Sequence, residues 1–94
     1  MVIGLLTVEL QIPASGSLKD KRQVIRSLVT RLRQEYNISV AQVDHLDSWQ
    51  LCALAIACVS NEGSQAQHVL QRVAGYIEAR AVDYVVLDIQ TELL

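Results

Sequence analysis

The chain contains no phenylalanine, one tryptophan and one proline, and it has no long hydrophobic run. Glu9 interrupts the first apolar segment, and Asp44 and Asp47 precede the middle one, so neither reaches the roughly 18 residues of a membrane-spanning helix. The first segment also lacks the basic start and the small-residue cleavage site of an export signal. We therefore expect a cytoplasmic protein that makes no membrane contact.

Motifs for cofactors, metals and catalysis are also scarce. The four glycines form no phosphate-binding loop, and Ser17 and Ser60, which border predicted helices, have no identifiable base beside them. Cys52 and Cys58 fall on the same face of one predicted strand, about 20 Å apart, so they cannot form a disulfide with each other. We expect both to be buried, reduced thiols. The sequence thus predicts a non-enzymatic protein without a cofactor or a metal.

What the chain has in abundance is aliphatic side chain. Its 94 residues are 51% hydrophobic, which is enough for one continuous core but too short for two domains. The formal net charge of −2 argues against a protein that coats nucleic acid through its overall charge. We therefore treat residues 1–94 as a single domain in which any nucleic-acid contact is local.

Hydrophobic periodicity divides the chain into four strands and two helices. Ser17 with Asp20, and Ser64 with Gln67, have the spacing of helix N-terminal caps. The predicted strands cover 2–12, 38–44, 49–60 and 82–92, and the predicted helices cover 17–36 and 64–80. The order β-α-β-β-α-β predicts an α+β, ferredoxin-like fold: a four-stranded antiparallel sheet with both helices on one face.

The third strand is apolar on both of its faces, although one layer of helices covers only one. A large exposed apolar patch is unusual on a monomer, so we expect a homodimer, with a protein or a small apolar ligand on the sheet as the alternative. Alternation places the following residues in this oligomer interface: Ile3, Leu5, Leu54, Ile56 and Val86.

Four segments, taken in order, resemble the YlxP-like family, bacterial domain-of-unknown-function family 503. They are Leu10-Gln11-Ile12-Pro13, Ser17-Leu18-Lys19-Asp20-Lys21-Arg22, Ser39-Val40-Ala41-Gln42-Val43-Asp44-His45 with Asp47 and Trp49, and Val59-Ser60-Asn61. The resemblance covers essentially the whole chain. It implies a small ferredoxin-like bacterial protein whose genes often lie among those for translation initiation and ribosome maturation, and it supplies no catalytic residue.

Six of the eight basic residues lie between Lys19 and Arg33. Four of them share one edge of the first predicted helix: Lys19, Arg22, Arg26 and Arg33. One interpretation is a nucleic-acid or anion site that contacts phosphates, with ribosomal RNA or a ribosome-maturation protein as the partner that the resemblance favours. The other is a solvated face whose long stems cover the edge of the core. An aromatic platform for RNA bases on the sheet is not expected, because the central strands lack the rings.

A second polar cluster follows the second predicted strand. Asp44, His45 and Asp47 suggest an acid–base or metal site, but turn aspartates usually bond to their own backbone, only one His is local, and the turn has no Cys. A polar network at the turn and a contact with a partner are the alternatives. Trp49 is expected to anchor the core or an interface.

Overall fold

The computed structural model describes all residues, Met1–Leu94. The elements follow in the predicted order: β1 (Val2–Gln11), α1 (Leu18–Glu35), β2 (Ser39–Asp44), β3 (Leu51–Ser60), α2 (Gly63–Ala79) and β4 (Val85–Leu93). The strands form one sheet in the order β2-β3-β1-β4, and every neighbouring pair is antiparallel. The ferredoxin-like arrangement predicted from the sequence is confirmed.

Both helices cover the same face of the sheet. Alternation on β1 turns Leu6, Val8 and Leu10 towards the helices, and each is fully buried. The helices contribute apolar residues at three- and four-residue spacings, which are Ile25, Leu28 and Leu32 from α1 and Ala66, Leu70, Val73 and Ile77 from α2. These side chains form one core, and neither helix combines the length and hydropathy needed to cross a bilayer.

β3 lies in the middle of the sheet, as its two apolar faces predicted. The prediction that Leu54 and Ile56 lie on the uncovered face was wrong. Leu54 pairs with Val8 and Ile56 pairs with Leu6, which places both in the core with no exposed surface. Alternation alone could not choose between two apolar rows; the larger row fills the space under the helices, and the smaller row faces outwards.

Val86 was also assigned to the wrong face. Strict alternation along β4 would place Val86 and Ile89 on different faces of the sheet. A bulge between Asp88 and Val86 shifts the register, so both side chains lie on the same face. Val86 therefore pairs with Leu10 on the side of the helices, where it packs against the core. A single extra residue in a strand reverses the face of everything that follows it.

The face of the sheet that the helices leave uncovered is called the open face below. Small residues lie at its centre and acidic residues lie at one end. Across β3 it presents Ala53, Ala55 and Ala57, and Ile3 and Leu5 of β1 lie beside Val59 and Ala57. The other residues in register on this face are Ser39, Ala41, Asp44, Leu51, Thr7, Glu9, Gln11, Val85, Asp88, Gln90 and Glu92. The strands contain no Lys or Arg, so this face is acidic wherever it is charged.

Candidate functional site

The start of α1 is fixed by its cap. The Ser17 hydroxyl accepts the backbone N–H of Asp20 at 3.1 Å, as the sequence predicted, and the Asp20 carboxylate accepts the N–H of Gly16 at 3.2 Å. The helix then turns its apolar stripe onto the sheet. The phase set by this cap and stripe directs Lys19, Arg22 and Arg26 to solvent. In α2 the expected Ser64 cap is absent, because the N-cap is Glu62, two residues earlier, and its side chain makes no capping hydrogen bond.

The outer side of α1 carries four exposed cations that we call the basic surface: Lys19, Arg22, Arg26 and Arg31. None of them makes an ion pair, since the one ion pair in the structure joins His45 and Glu9. Neutral hydrogen-bonding side chains lie between them in a shallow depression, namely Gln23, Ser27, Thr30 and Gln34. By the helical rise, Lys19 and Arg31 are about 18 Å apart along the axis. Arg22 and Arg31 are about 180° apart around the helix. The helix therefore presents unneutralised positive charge on both flanks of its exposed side, with polar groups between the charges.

Arg33, the fourth basic residue predicted on this edge of the helix, bonds to the sheet. One of its guanidinium nitrogens donates to the backbone carbonyl of Val40 on β2 at 2.9 Å. β2 is an edge strand, so this contact ties α1 to the sheet margin and occupies one of the polar groups there. Arg33 is nevertheless exposed and makes no ion pair, and the structure adds Arg31, which the sequence reasoning had not selected.

The charge of the molecule is divided between its layers. With six basic and two acidic residues, α1 has a net charge of +4, so the rest of the chain carries −6 of the total of −2. The acidic residues of the open face are Glu9, its strand neighbour Asp88, and Asp44 on β2. They lie on the side of the sheet that faces away from α1. A polyanion is thus attracted to α1 and repelled by the sheet.

The polar turn after β2 is held by a buried lysine. The Lys21 ammonium donates to the backbone carbonyls of His45 and Ser48, both at 2.6 Å, while only 1% of the residue is exposed. Burial lowers the pKa of Lys21 below its ordinary value. Sequence reasoning missed this role, although Lys21 precedes Ile25 by four residues and therefore stands within the apolar stripe of α1.

Two of the predicted polar residues of this turn, Asp44 and His45, contact the local backbone and Glu9. The Asp44 carboxylate accepts the N–H of His45 at 2.8 Å, and His45, held in the left-handed region with φ 60°, has Nε2 3.6 Å from Oε1 of Glu9. Asp47 is exposed. Nowhere in the chain do three or more His, Cys, Asp or Glu side chains gather in a metal-binding arrangement.

The structure also bears on the predictions made for Trp49 and for the two cysteines. Trp49 precedes β3 and is 57% exposed, so it does not anchor the core; a contact with a partner remains a prediction. Cys52 and Cys58 are both free and buried, as expected. Burial raises the pKa of the Cys52 thiol to about 11, which keeps it protonated and unreactive at neutral pH.

These features define a ferredoxin-like α+β domain with a basic helix on one side. The sheet face on the other side has acidic residues at one end and apolar residues at the other. The family model described as "Protein of unknown function (DUF503)" matches residues 3–91, and the chain belongs to this family. It is 36% identical to the uncharacterized protein YlxP of Bacillus subtilis (strain 168) over 78 residues, which is 83% of this chain and 85% of that protein. The resemblance seen in the sequence is confirmed.

Comparison with solved structures gives the same fold. The de novo designed protein LFR1 1, with a ferredoxin fold, aligns with a TM-score of 0.54 and 13% identity over 98% of this chain and 88% of its own. The designed protein Foldit4 aligns with a TM-score of 0.54 and 10% identity over 99% and 94%. At these identities the likeness is one of fold.

Proposed function

We propose that this protein is a non-enzymatic binding module that contacts ribosomal RNA, or an RNA-containing ribosome-maturation intermediate, through the basic surface of α1. The observation that carries the proposal is the group of four exposed cations on the outer side of α1, none of which has an acidic partner. Counterions condensed on RNA phosphates are released when such cations bind, and this release drives binding without sequence preference. The gene neighbourhood implied by the family resemblance favours RNA of the translation machinery as the source of the phosphates.

The distribution of other groups supports α1 over the sheet as the contact surface. Single-stranded bases are usually bound on a sheet by exposed aromatic rings. The open face has none in its strands and carries Glu9, Asp88 and Glu92 instead. The amide and hydroxyl groups between the cations of α1 are the neutral donors that proteins use on phosphates and sugars.

Co-sedimentation with ribosomal particles at low and at high salt tests the proposal. Reversing Lys19, Arg22 and Arg26 to Glu should abolish sedimentation at low salt, and high salt should release the wild type. The control places Glu at Gln67, Gln71 and Arg72, which are exposed on α2; it lowers the net charge by about four units, against about six for the α1 variant. Equal sedimentation of the α1 variant and the wild type would refute a role for the basic surface.

A homodimer formed through the open face is a second candidate, which a different observation favours. Val59 is 70% exposed on this face, beside Ile3, and the small, partly exposed Ala55 and Ala57 lie next to it along β3. From strand spacing and rise, the face measures roughly 600 Å². Two such faces would bury about 1,200 Å², the lower end of a stable interface.

Light scattering after size exclusion tests the dimer. Val59→Glu should convert a dimer to a monomer because it puts a charge at the apolar end of the face. Val82→Glu, at a position 89% exposed outside the strands, is the control and should leave the dimer intact. A monomeric wild type at about 100 μM would contradict an interface of micromolar affinity or tighter.

A further inference from the structure

Arg31 lies at one end of the basic surface and also lines a narrow groove between α1 and the connection from α2 to β4. The polar walls of this groove are formed by Ser27, Arg31, Arg80 and Asp83, and Leu28 and Tyr84 form its apolar lining. Its volume is about 80 Å³. The groove therefore continues the basic surface beyond the helix and adds a cation from α2.

The groove is built on buried side chains that hold its shape. Tyr84 is 5% exposed, and its hydroxyl donates to the backbone carbonyl of Ile77 at 2.5 Å. Burial raises the pKa of the Tyr84 hydroxyl, so the hydroxyl stays protonated as a donor. The guanidinium carbon of Arg80 lies 3.6 Å from the centre of the Tyr76 ring, a cation–π contact that restricts its position.

The two arginines leave their charge available in this groove. Neither pairs with a carboxylate within 4.0 Å, Asp83 included, because the single ion pair of the structure is elsewhere. Stacking over Tyr76 uses the flat face of the Arg80 guanidinium and leaves the N–H groups at its edge to bind an acceptor. Two guanidinium groups at one groove are suited to the oxygens of a phosphate.

We propose that the groove between Arg31 and Arg80 binds one phosphate of an RNA strand whose neighbouring phosphates lie on the basic surface of α1. This inference rests on the proposed function and extends its contact surface. The volume of the groove, about 80 Å³, is large enough for several water molecules and therefore for a phosphate group. The negative charge of Asp83 repels the phosphate and lowers the affinity of the groove for it.

Fluorescence anisotropy of a labelled, twelve-nucleotide oligouridylate, titrated with the protein at several KCl concentrations, tests this site. Replacing Arg31 and Arg80 with Gln should lower the salt slope by about 0.7, the value for one phosphate, and weaken binding about eightfold at 50 mM KCl. Arg72→Gln is the control, because Arg72 also lies over a tyrosine, Tyr36, but outside the groove.

A variant that should bind more tightly provides a second test, because misfolding does not increase affinity. Asp83→Asn should tighten binding about two- to fivefold, because it removes a negative charge that faces the bound phosphate. Glu78→Gln changes the net charge by the same amount on exposed α2 and should have a smaller effect. Inorganic phosphate at constant ionic strength should leave the oligomer bound; full displacement would assign the groove to a free anion and overturn the proposal.

The outcomes separate this inference from the proposed function. Binding that depends on Lys19, Arg22 and Arg26 but is unchanged in the Arg31 and Arg80 variant would overturn the groove alone. An unchanged salt slope in that variant, or an equal loss in Arg72→Gln, would do the same. Failure of the wild type to bind the oligomer would overturn both.

Discussion

Lys21→Met should destabilise the protein, because it removes both hydrogen bonds that hold the turn between β2 and β3 while keeping the length of the side chain. Hydrogen bonds from a charged donor contribute about 1.5–3 kcal/mol each, a gross loss of about 3–6 kcal/mol. Part of this is offset because burying the ammonium is itself unfavourable, as the lowered pKa of Lys21 shows. We expect the free energy of unfolding to fall by about 2–3 kcal/mol.

Urea unfolding followed by circular dichroism measures this loss, and a Tm lower by roughly 10–20 °C should accompany it. Trp49 is the only tryptophan and directly follows Ser48, so its quenching by acrylamide reports the turn. Quenching of the folded variant should increase. Lys19→Met is the matched control, since Lys19 is exposed on the same helix and makes no ion pair. A Lys21→Met protein within about 0.5 kcal/mol of the wild type would refute this account of the turn.

Three further predictions concern the core. The Cys52 thiol has its pKa raised from 9.0 to about 11, so between these pH values the unfolded chain loses a proton that the folded one keeps, and stability falls as pH rises. Cys52→Ala should remove about 2 kcal/mol of that fall, measured as the difference in unfolding free energy between pH 9 and pH 11. A Cβ on Gly4 would lie 2.9 Å from Cδ1 of Leu70, so Gly4→Ala should lose about 1–3 kcal/mol, whereas Gly75→Ala, with nothing within 4 Å, should gain about 0.5–1 kcal/mol. Leu54→Ala should lose about 2–5 kcal/mol in the same assay, and a loss under 1 kcal/mol would contradict its burial.

Much of the candidate site could be read from the chain because it lies on one helix. The Ser17 cap and the stripe of Ile25, Leu28 and Leu32 fix the phase of α1, and with the phase known the exposed cations follow. The groove could not be predicted in this way. Arg31 and Arg80 are 49 positions apart in the sequence, and only the packing of α1 against the segment before β4 brings them to one groove.

The sequence by itself determined the six elements, their order and the burial of one face of β1, because alternation and helical spacing are local properties of the chain. Only the tertiary structure decided which apolar row of β3 entered the core, since both rows satisfy the same alternation and the larger one fills the space below the helices. The bulge in β4 and the contact of Lys21 with a turn 24 residues away were decided there too. Both depend on how segments that are distant in the sequence pack together, and the local hydrophobic pattern does not predict that packing.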